Sequence, residues 1–388
     1  MRSSIGSTPK RPDRLRILLV SNYYPEHVGG IETVAATLAD GYRRRGHEVR
    51  WVAGDIKGRP HRGPRDDVPI RVWNLTERLG FPYPLAGLGS VSTIRQQVSW
   101  CEVVHMHDCL YALNLTTLVA ARRSPRRPVL LTQHVGLVPF RNPAVRGLQA
   151  LAYASLGRAA LSSADQVVFV SNEVSRWFAR RVRFRRPPLV IENGVDLDLF
   201  KPAGAEERRA LRAALGVEDS GRLLMFVGRF VEKKGIRLLR SVVDATPQWC
   251  WFLIGRAGDE DPRRWSLPNL RVLAPLEPER LRDHYVAADL LVLPSVGEGF
   301  PVVAQESMAC GTPVLLAAET AAGIPNLGDK VFVTAPDTGA LRTAVEAAVD
   351  AVARDPDLRA AVSTFARERW RSEAVVLRYE ELLRGLLA

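Results

Sequence analysis

The sequence predicts two α/β domains of the doubly wound kind, facing each other across a cleft. Its 388 residues exceed what one hydrophobic core ordinarily organises. Short apolar runs alternate with helix-like stretches in two separate series. Between the series lies Glu192-Asn-Gly-Val-Asp-Leu-Asp-Leu-Phe-Lys-Pro202, dense in turn residues and followed by a charged Ala/Glu/Arg helix.

In the first series, residues 15–20 (Leu-Arg-Ile-Leu-Leu-Val) read as a buried parallel strand. A Gly-bearing loop, Ser21 to Gly30, leads into a helix from about Ile31 to Arg45, with Ile31, Val34, Leu38 and Tyr42 near helical spacing. Gly46 ends it, and Val49 to Ala53 resumes as a strand, completing a Rossmann-like opening unit. Further strand candidates are Val103–His105, Val129–Thr132, Gln166–Val170 and Leu189–Ile191. The second series holds Leu223–Val227, Trp251–Ile254, Val272–Leu273, Leu290–Leu293 and Pro313–Leu316. The last helix, about Ser372 to Leu387, carries Val375, Val376, Tyr379, Leu382 and Leu386 on one broad face. The expected division is a basic tail over 1–14, a first domain over 15–200, a second over 201–369, and a terminal helix over 370–388 that packs back on the first.

Hydrophobic content of 46% and charged content of 25% are those of a soluble globular protein. The four cysteines (Cys101, Cys109, Cys250, Cys310) form no Cys-x-x-Cys pair, so they read as free thiols of a reducing compartment. The run Ile17–Val20 is too short for a signal sequence, and no later run reaches the roughly 18 apolar residues of a membrane span. A cytoplasmic protein is expected. The net charge of +12 is uneven: residues 1–200 hold 29 Lys+Arg against 16 Asp+Glu, and residues 201–388 hold 25 against 26. A solvated arginine-rich surface explains any single run, such as Arg43-Arg44-Arg45 or the six arginines from Arg176 to Arg186. The asymmetry between halves points further, to an acidic partner of the first domain: an anionic membrane surface or a phosphorylated acceptor. No nucleic-acid recognition motif or aromatic platform accompanies the arginines.

Two constellations carry chemistry. Glu298-Gly-Phe-Pro-Val-Val-Ala-Gln-Glu306 sets two carboxylates eight positions apart, one in a loop and one on the helix that follows. A loop–helix junction of that length can aim both into one cleft. The N–H groups of Gly299, Phe300 and Val302 stand near the helix start, where an anion or a sugar hydroxyl is held. Gly228-Arg-Phe-Val-Glu-Lys-Lys-Gly235 follows the first strand of the second domain, so Arg229 stands at the carboxyl edge of the sheet and Lys234 just before the next helix. A forked guanidinium and a point-charge ammonium together suit a diphosphate. A plain basic loop at a domain edge is the alternative for that segment seen alone.

These segments, with Ala309-Cys-Gly-Thr-Pro313, resemble the donor-binding half of retaining family-4 glycosyltransferases of GT-B fold. Gly29-Gly30-Ile-Glu, Thr132-Gln-His134-Val, Val170-Ser-Asn172 and Glu192-Asn-Gly-Val-Asp196 match the same family's order in the first half. The resemblance implies that Arg229 and Lys234 neutralise a diphosphate as the bond to the sugar breaks, and Gly228 is counted with them among the donor-binding residues. It implies that Glu306 accepts from ribose hydroxyls, and that Glu298 meets the donor sugar near its anomeric carbon. Gly29 and Gly30 would let backbone approach the phosphates, and His134 would reach donor sugar or acceptor from the first domain. Pro301 stands where many members have Gly; it removes one N–H and bears on which sugar fits. The implied reaction retains the anomeric configuration, by same-face attack or by double displacement, for which Glu298 is the candidate nucleophile.

Asp196-Leu-Asp198 resembles the Asp-x-Asp metal motif of a different glycosyltransferase fold, but its turn setting argues for capping. With Arg229 and Lys234 supplying charge, neither metal nor other cofactor is expected. His105 and His107 lack a third partner for a zinc site. On the acceptor side Asp108 is expected to face the cleft with His134. Residues 141–161 read first as an ordinary core-facing helix; the alternative is an exposed apolar wall flanked by Arg141, Arg146 and Arg158 that meets lipid headgroups. The resulting expectation is transfer of a hexosyl unit from a nucleotide-diphosphate sugar to a glycan, glycolipid or lipid-linked acceptor. A nucleotide-sugar epimerase and a non-catalytic sugar-nucleotide-binding module are the rivals.

Overall fold

The apolar run at residues 16–20 forms the middle of an eight-stranded sheet. The structure is a computed structural model describing residues 14–27, 29–55, 61–73, 83–123, 125–137, 142–297 and 299–388. Its first sheet contains β1 (Arg16–Tyr23), β2 (Glu48–Asp55), β3 (Val68–Trp73), β4 (Leu85–Ala86), β5 (Val103–His107), β6 (Val129–Gln133), β7 (Gln166–Phe169) and β8 (Leu189–Val190), in the order β4-β3-β2-β1-β5-β6-β7-β8. All neighbours pair in parallel except β3 with β4. The chain winds outward from β1 through β2 and β3, then returns to β5 on the other side. The crevice between the carboxyl ends of β1 and β5 is therefore the switch point where doubly wound sheets bind ligands.

The first domain's helices are α1 (Gly30–Arg44), α2 (Ser90–Trp100), α3 (Ala112–Ala121), α4 (Pro143–Ala152), α5 (Arg158–Ser163) and α6 (Asn172–Ala179). A π-helical turn, Tyr153–Gly157, joins α4 to α5. In the second domain, α7 (Ala205–Ala214) precedes a six-stranded parallel sheet of β9 (Leu223–Val227), β10 (Cys250–Ile254), β11 (Leu270–Leu273), β12 (Leu290–Leu293), β13 (Val314–Ala317) and β14 (Phe332–Thr334), ordered β11-β10-β9-β12-β13-β14. Its switch point lies between β9 and β12. Around it run α8 (Ile236–Asp244), α9 (Pro278–Ala287), α10 (Val302–Ala309), α11 (Ala318–Ala322), α12 (Thr338–Arg354) and α13 (Leu358–Arg369).

The final helix, α14 (Ser372–Leu387), leaves the second domain for the first. Val375, Val376, Tyr379 and Leu383 are buried with Leu38, Tyr42 and Leu130, and Thr132 donates to the Tyr379 hydroxyl at 3.3 Å. The outward passage lies earlier than residue 200. Ile191 belongs to the first core, whereas Val195, Leu197 and Phe200 are packed into the second. The two crossings lie side by side: Val195 N donates to Trp370 O at 2.7 Å and Ser372 N to Val195 O at 3.1 Å. Arg369 forks onto the Glu192 carboxylate at 2.7 and 2.6 Å, and Trp370 Nε1 adds a third bond at 2.7 Å. Backbone pairing and a bidentate ion pair thus tie both linkers into one strap.

Candidate active site

At the second sheet's switch point, two loops are fastened to each other. The loop after β9 carries Arg229 and closes in a single 3-10 turn, Glu232–Lys234. Gly235 follows at φ 73°, and a Cβ there would lie 2.7 Å from the carbonyl oxygen of Pro294 in the loop after β12. Only glycine satisfies both the left-handed backbone and that approach. Val296 N donates to Lys233 O at 3.0 Å, completing the join. The Arg229–Lys234 segment therefore runs alongside the segment that leads to residues 297–302. Glu298 itself lies outside the described residues. Beyond it, α10 starts at Val302 behind Pro301, an N-cap residue that makes no side-chain cap bond.

Two residues expected on the donor side lie deeper than the sequence suggests. The Phe300 ring is buried in the second core, 5.2 Å from the Trp370 ring, so its side chain is a packing group and only its backbone is left for ligand. Glu306 is 7% exposed and accepts from Tyr285 Oη at 3.1 Å. Burial raises its carboxyl to about 7, partly offset by that hydrogen bond. Val302, at the start of the same helix, packs against the first-domain core, and Gln305 Nε2 donates to Asn193 O at 2.7 Å. One short helix thus touches the second-domain core, the interdomain linker and the first domain.

The facing wall belongs to the first sheet. His134 follows β6, and a Cβ on Gly299 would stand 3.1 Å from its carbonyl oxygen. The His134 and His107 rings meet at 2.9 Å between Nε2 and Nδ1, one donating and the other accepting. Burial holds His134 down at about 3 and His107 well below its ordinary value, so both are neutral at pH 7. His105, on the same strand face, bonds instead to Tyr42 and Thr132 at 3.2 and 2.9 Å. Among the described residues, no group of three or more His, Cys, Asp or Glu side chains could hold a metal ion. Asp196 Oδ1 accepts from the amides of Asp198 and Leu199 at 3.0 and 3.2 Å, a turn-capping role.

Beside the first switch point, Asp108 adopts φ 76° and is 4% exposed. Its carboxylate accepts from Cys109 N at 2.7 Å; burial raises the group to about 6 despite hydrogen bonds from Gln133 and two amides. Gly29 and Gly30 open α1 nearby. Sequence reasoning assigned no role to Glu32, three residues after Gly29. It is 6% exposed, raised to about 7 by burial, supported as an anion by Arg229 and opposed by Asp108. The signal was present: an acid at the third helical position behind a glycine N-cap, the return half of a capping box. Arg229 arrives beside it from the other domain.

The expectation of a core-facing helix over 141–161 is corrected. Leu148, Leu151 and Leu156 are 68%, 65% and 50% exposed, while Gln149 is the buried residue of α4. The π-helical turn rotates the chain so that Tyr153, Gly157, Ala160 and Leu161 take over the contact with the core. Arg141 lies outside the described residues; Arg146 and Arg158 are exposed beside the leucines. No helix among the described residues is long and apolar enough to cross a membrane.

The profile of Glycosyltransferase Family 4 matches residues 28–199, and that of Glycosyl transferases group 1 matches residues 221–351. A D-inositol 3-phosphate glycosyltransferase 1 of Catenulispora acidiphila is 31% identical over 302 residues, covering 71% of this chain and 70% of the relative. A D-inositol 3-phosphate glycosyltransferase of Geodermatophilus obscurus is 35% identical over 207 residues, 47% of this chain and 41% of the relative. Against the first such relatives, the matched segment spans between 34% and 53% of their own length. Among solved structures, HepE of Anabaena in complex with UDP-glucose superposes with a TM-score of 0.74 at 18% identity, covering 96% of this chain and 100% of that one.

Proposed function

The chain belongs to the family-4 glycosyltransferases of GT-B fold, and from that premise we propose that it transfers a hexosyl unit from a nucleoside-diphosphate sugar with retention of anomeric configuration. One observation carries the reading: Arg229 and Lys234 lie on a loop joined by Val296 and Gly235 to the loop that runs into Gly299, and Gly299 abuts His134 across the cleft. A diphosphate held by Arg229 and Lys234 would place its sugar toward Gly299 and His134. The α10 amides of Val302 and neighbouring residues suit its oxygens. Glu306 would receive the ribose hydroxyls through its remaining oxygen. HepE, a fold neighbour, was solved with UDP-glucose, which supports a sugar-nucleotide donor.

In this reading the leaving diphosphate is stabilised by two side-chain cations, so no metal is required. Neutral His134 offers a hydrogen bond to a sugar hydroxyl without adding charge. We favour same-face attack, in which the acceptor hydroxyl bonds to the anomeric carbon as the diphosphate oxygen leaves and takes the acceptor's proton. The acceptor side is the first domain, where Asp108 stands at the switch point. The exposed leucines of α4 and the π-helical turn, with Arg146 and Arg158, support a glycolipid or lipid-linked acceptor met at an anionic membrane on its cytoplasmic face.

Thermal-shift measurement against UDP-, GDP- and ADP-sugars tests the donor. A selective rise is expected through binding linkage, and no rise with any of them overturns the reading. Incubation with the stabilising donor alone separates the rival, since an isomerised sugar nucleotide without acceptor would identify an epimerase.

A further inference from the structure

Glu32 lies in the first turn of α1. The N-cap of α1 is Gly29, which has no side chain with which to cap the helix, and the Glu32 carboxylate stands beside it. Its Cδ lies 3.0 Å from where a Cβ of Gly29 would stand, and Oε2 lies closer. A carboxylate therefore fills the position at which the first amides of α1 would otherwise meet an anion. Glu32 is buried, and the groups that act on it come from three other places in the fold: Asp108 follows β5, Arg229 follows β9 and Tyr111 precedes α3. Arg229 favours the ionised form and Asp108 disfavours it.

We propose that Glu32 takes up a proton when a nucleoside diphosphate binds and, as a carboxylic acid, donates a hydrogen bond to a diphosphate oxygen while the glycosidic bond breaks. The inference rests on the donor reading above. A diphosphate at Gly29 and Gly30 brings negative charge against this carboxylate and engages Arg229, the cation that supports it. Both changes act on the same group in the same direction. The proton comes from solvent on binding and stays on Glu32 through transfer. The electron pair of the cleaved bond goes to the diphosphate, which also takes the acceptor's proton.

The titration window is open to measurement. Burial places Glu32 at about 7 in the empty protein, above Asp108 at about 6 and His134 at about 3. A terminal phosphate has its second ionisation near 6, roughly one unit lower. Near neutral pH the carboxyls of Glu32 and Asp108 are the members of this cluster that change charge.

Isothermal calorimetry of UDP, GDP and ADP binding to the full chain, in buffers of differing ionisation enthalpy, reads the proton directly. Wild type is expected to take up a fraction of a proton at pH 7 and more at pH 8, with affinity several-fold weaker at pH 8 than at pH 7. Glu32→Gln keeps a hydrogen-bond donor and should bind with no uptake and a flat profile. Glu32→Ala should also be flat but bind more weakly and turn over more slowly, so the glutamine variant rescues what alanine loses. Thermal unfolding of each variant separates these effects from misfolding. The same uptake and slope in Glu32→Gln as in wild type would overturn the proposal, as would a wild type that binds without uptake. Failure of every nucleoside diphosphate to bind at any pH would overturn the donor reading itself, and this inference with it.

Discussion

Gly299 and His134 meet across the cleft without room for a methyl group. A Cβ on Gly299 would lie 3.1 Å from the His134 carbonyl oxygen and 2.9 Å from Cγ2 of Val170. The backbone oxygen cannot rotate away, so any side chain there pushes the walls apart. Gly299→Ala is expected to lower kcat/KM modestly and Gly299→Val by roughly tenfold or more, because the facing groups lose their alignment. Steady-state kinetics with the donor found by thermal shift would check this. Wild-type turnover by the valine variant would show that the contact does not set the active geometry.

Arg229 is expected to account for much of the donor affinity. Hydrogen bonds to charged groups contribute about 1.5–3 kcal/mol each, so Arg229→Ala should weaken nucleoside-diphosphate binding roughly 10- to 100-fold. Arg229→Lys should fall between, since an ammonium lacks the planar fork. Calorimetry with matched mono- and diphosphates reads it; equal losses for both would remove the diphosphate role.

Chelation tests the charge argument from the other side. If Arg229 and Lys234 supply the cations for the leaving group, turnover should survive prolonged dialysis against EDTA. Loss of turnover restored by a divalent ion would contradict that arrangement.

Glu306 should make stability fall as pH rises. Its folded carboxyl is raised to about 7 from an ordinary 4.5, so between those values the native state holds a proton that the unfolded state releases. The contribution is complete below 4.5 and lost as pH passes through about 7. Glu306→Gln keeps an oxygen to accept from Tyr285 and removes the titration. Urea unfolding at pH 5, 6, 7 and 8 should show the variant gaining on wild type by up to about 1.4 kcal/mol per pH unit. A constant difference would mean that the carboxyl is ionised in the native state.

Leu148 and Leu151 should matter to membranes and hardly to folding. They are 68% and 65% exposed, and burying a leucine side chain contributes about 1.5–3 kcal/mol. The double variant Leu148→Glu, Leu151→Glu is expected to lose more than tenfold in binding to anionic vesicles with little change in Tm. Wild-type binding should weaken with salt. Equal binding to neutral vesicles would count against the electrostatic part.

Much of the fold was legible because its signals are local. The apolar runs of β1, β5, β6, β9 and β12 announce strands buried on both faces, and α14 was bounded at Ser372 and Leu387 from its apolar face. The short β4 and the partly exposed β14 lack that density of apolar residues. The helix over 141–161 misled because its leucines lie at core-like spacing. Periodicity shows that a face is apolar but not what covers it, and here a π-helical turn hands the core contact to Tyr153 and Leu161.

By itself, the sequence determined two doubly wound domains, the family, and the Gly228–Gly235 and Glu298–Glu306 segments as candidates for ligand. Those are properties of residue type and spacing along the chain. Tertiary structure decided that Glu306 is bonded to Tyr285, that Phe300 is a core ring, and that His134 and His107 share a hydrogen bond as neutral rings. It also decided that Glu32 faces Arg229, a residue nearly two hundred positions away. The reason is physical. Burial and the field of distant charges set what a carboxyl or an imidazole can do, and both arise only when the two sheets bring their switch points face to face.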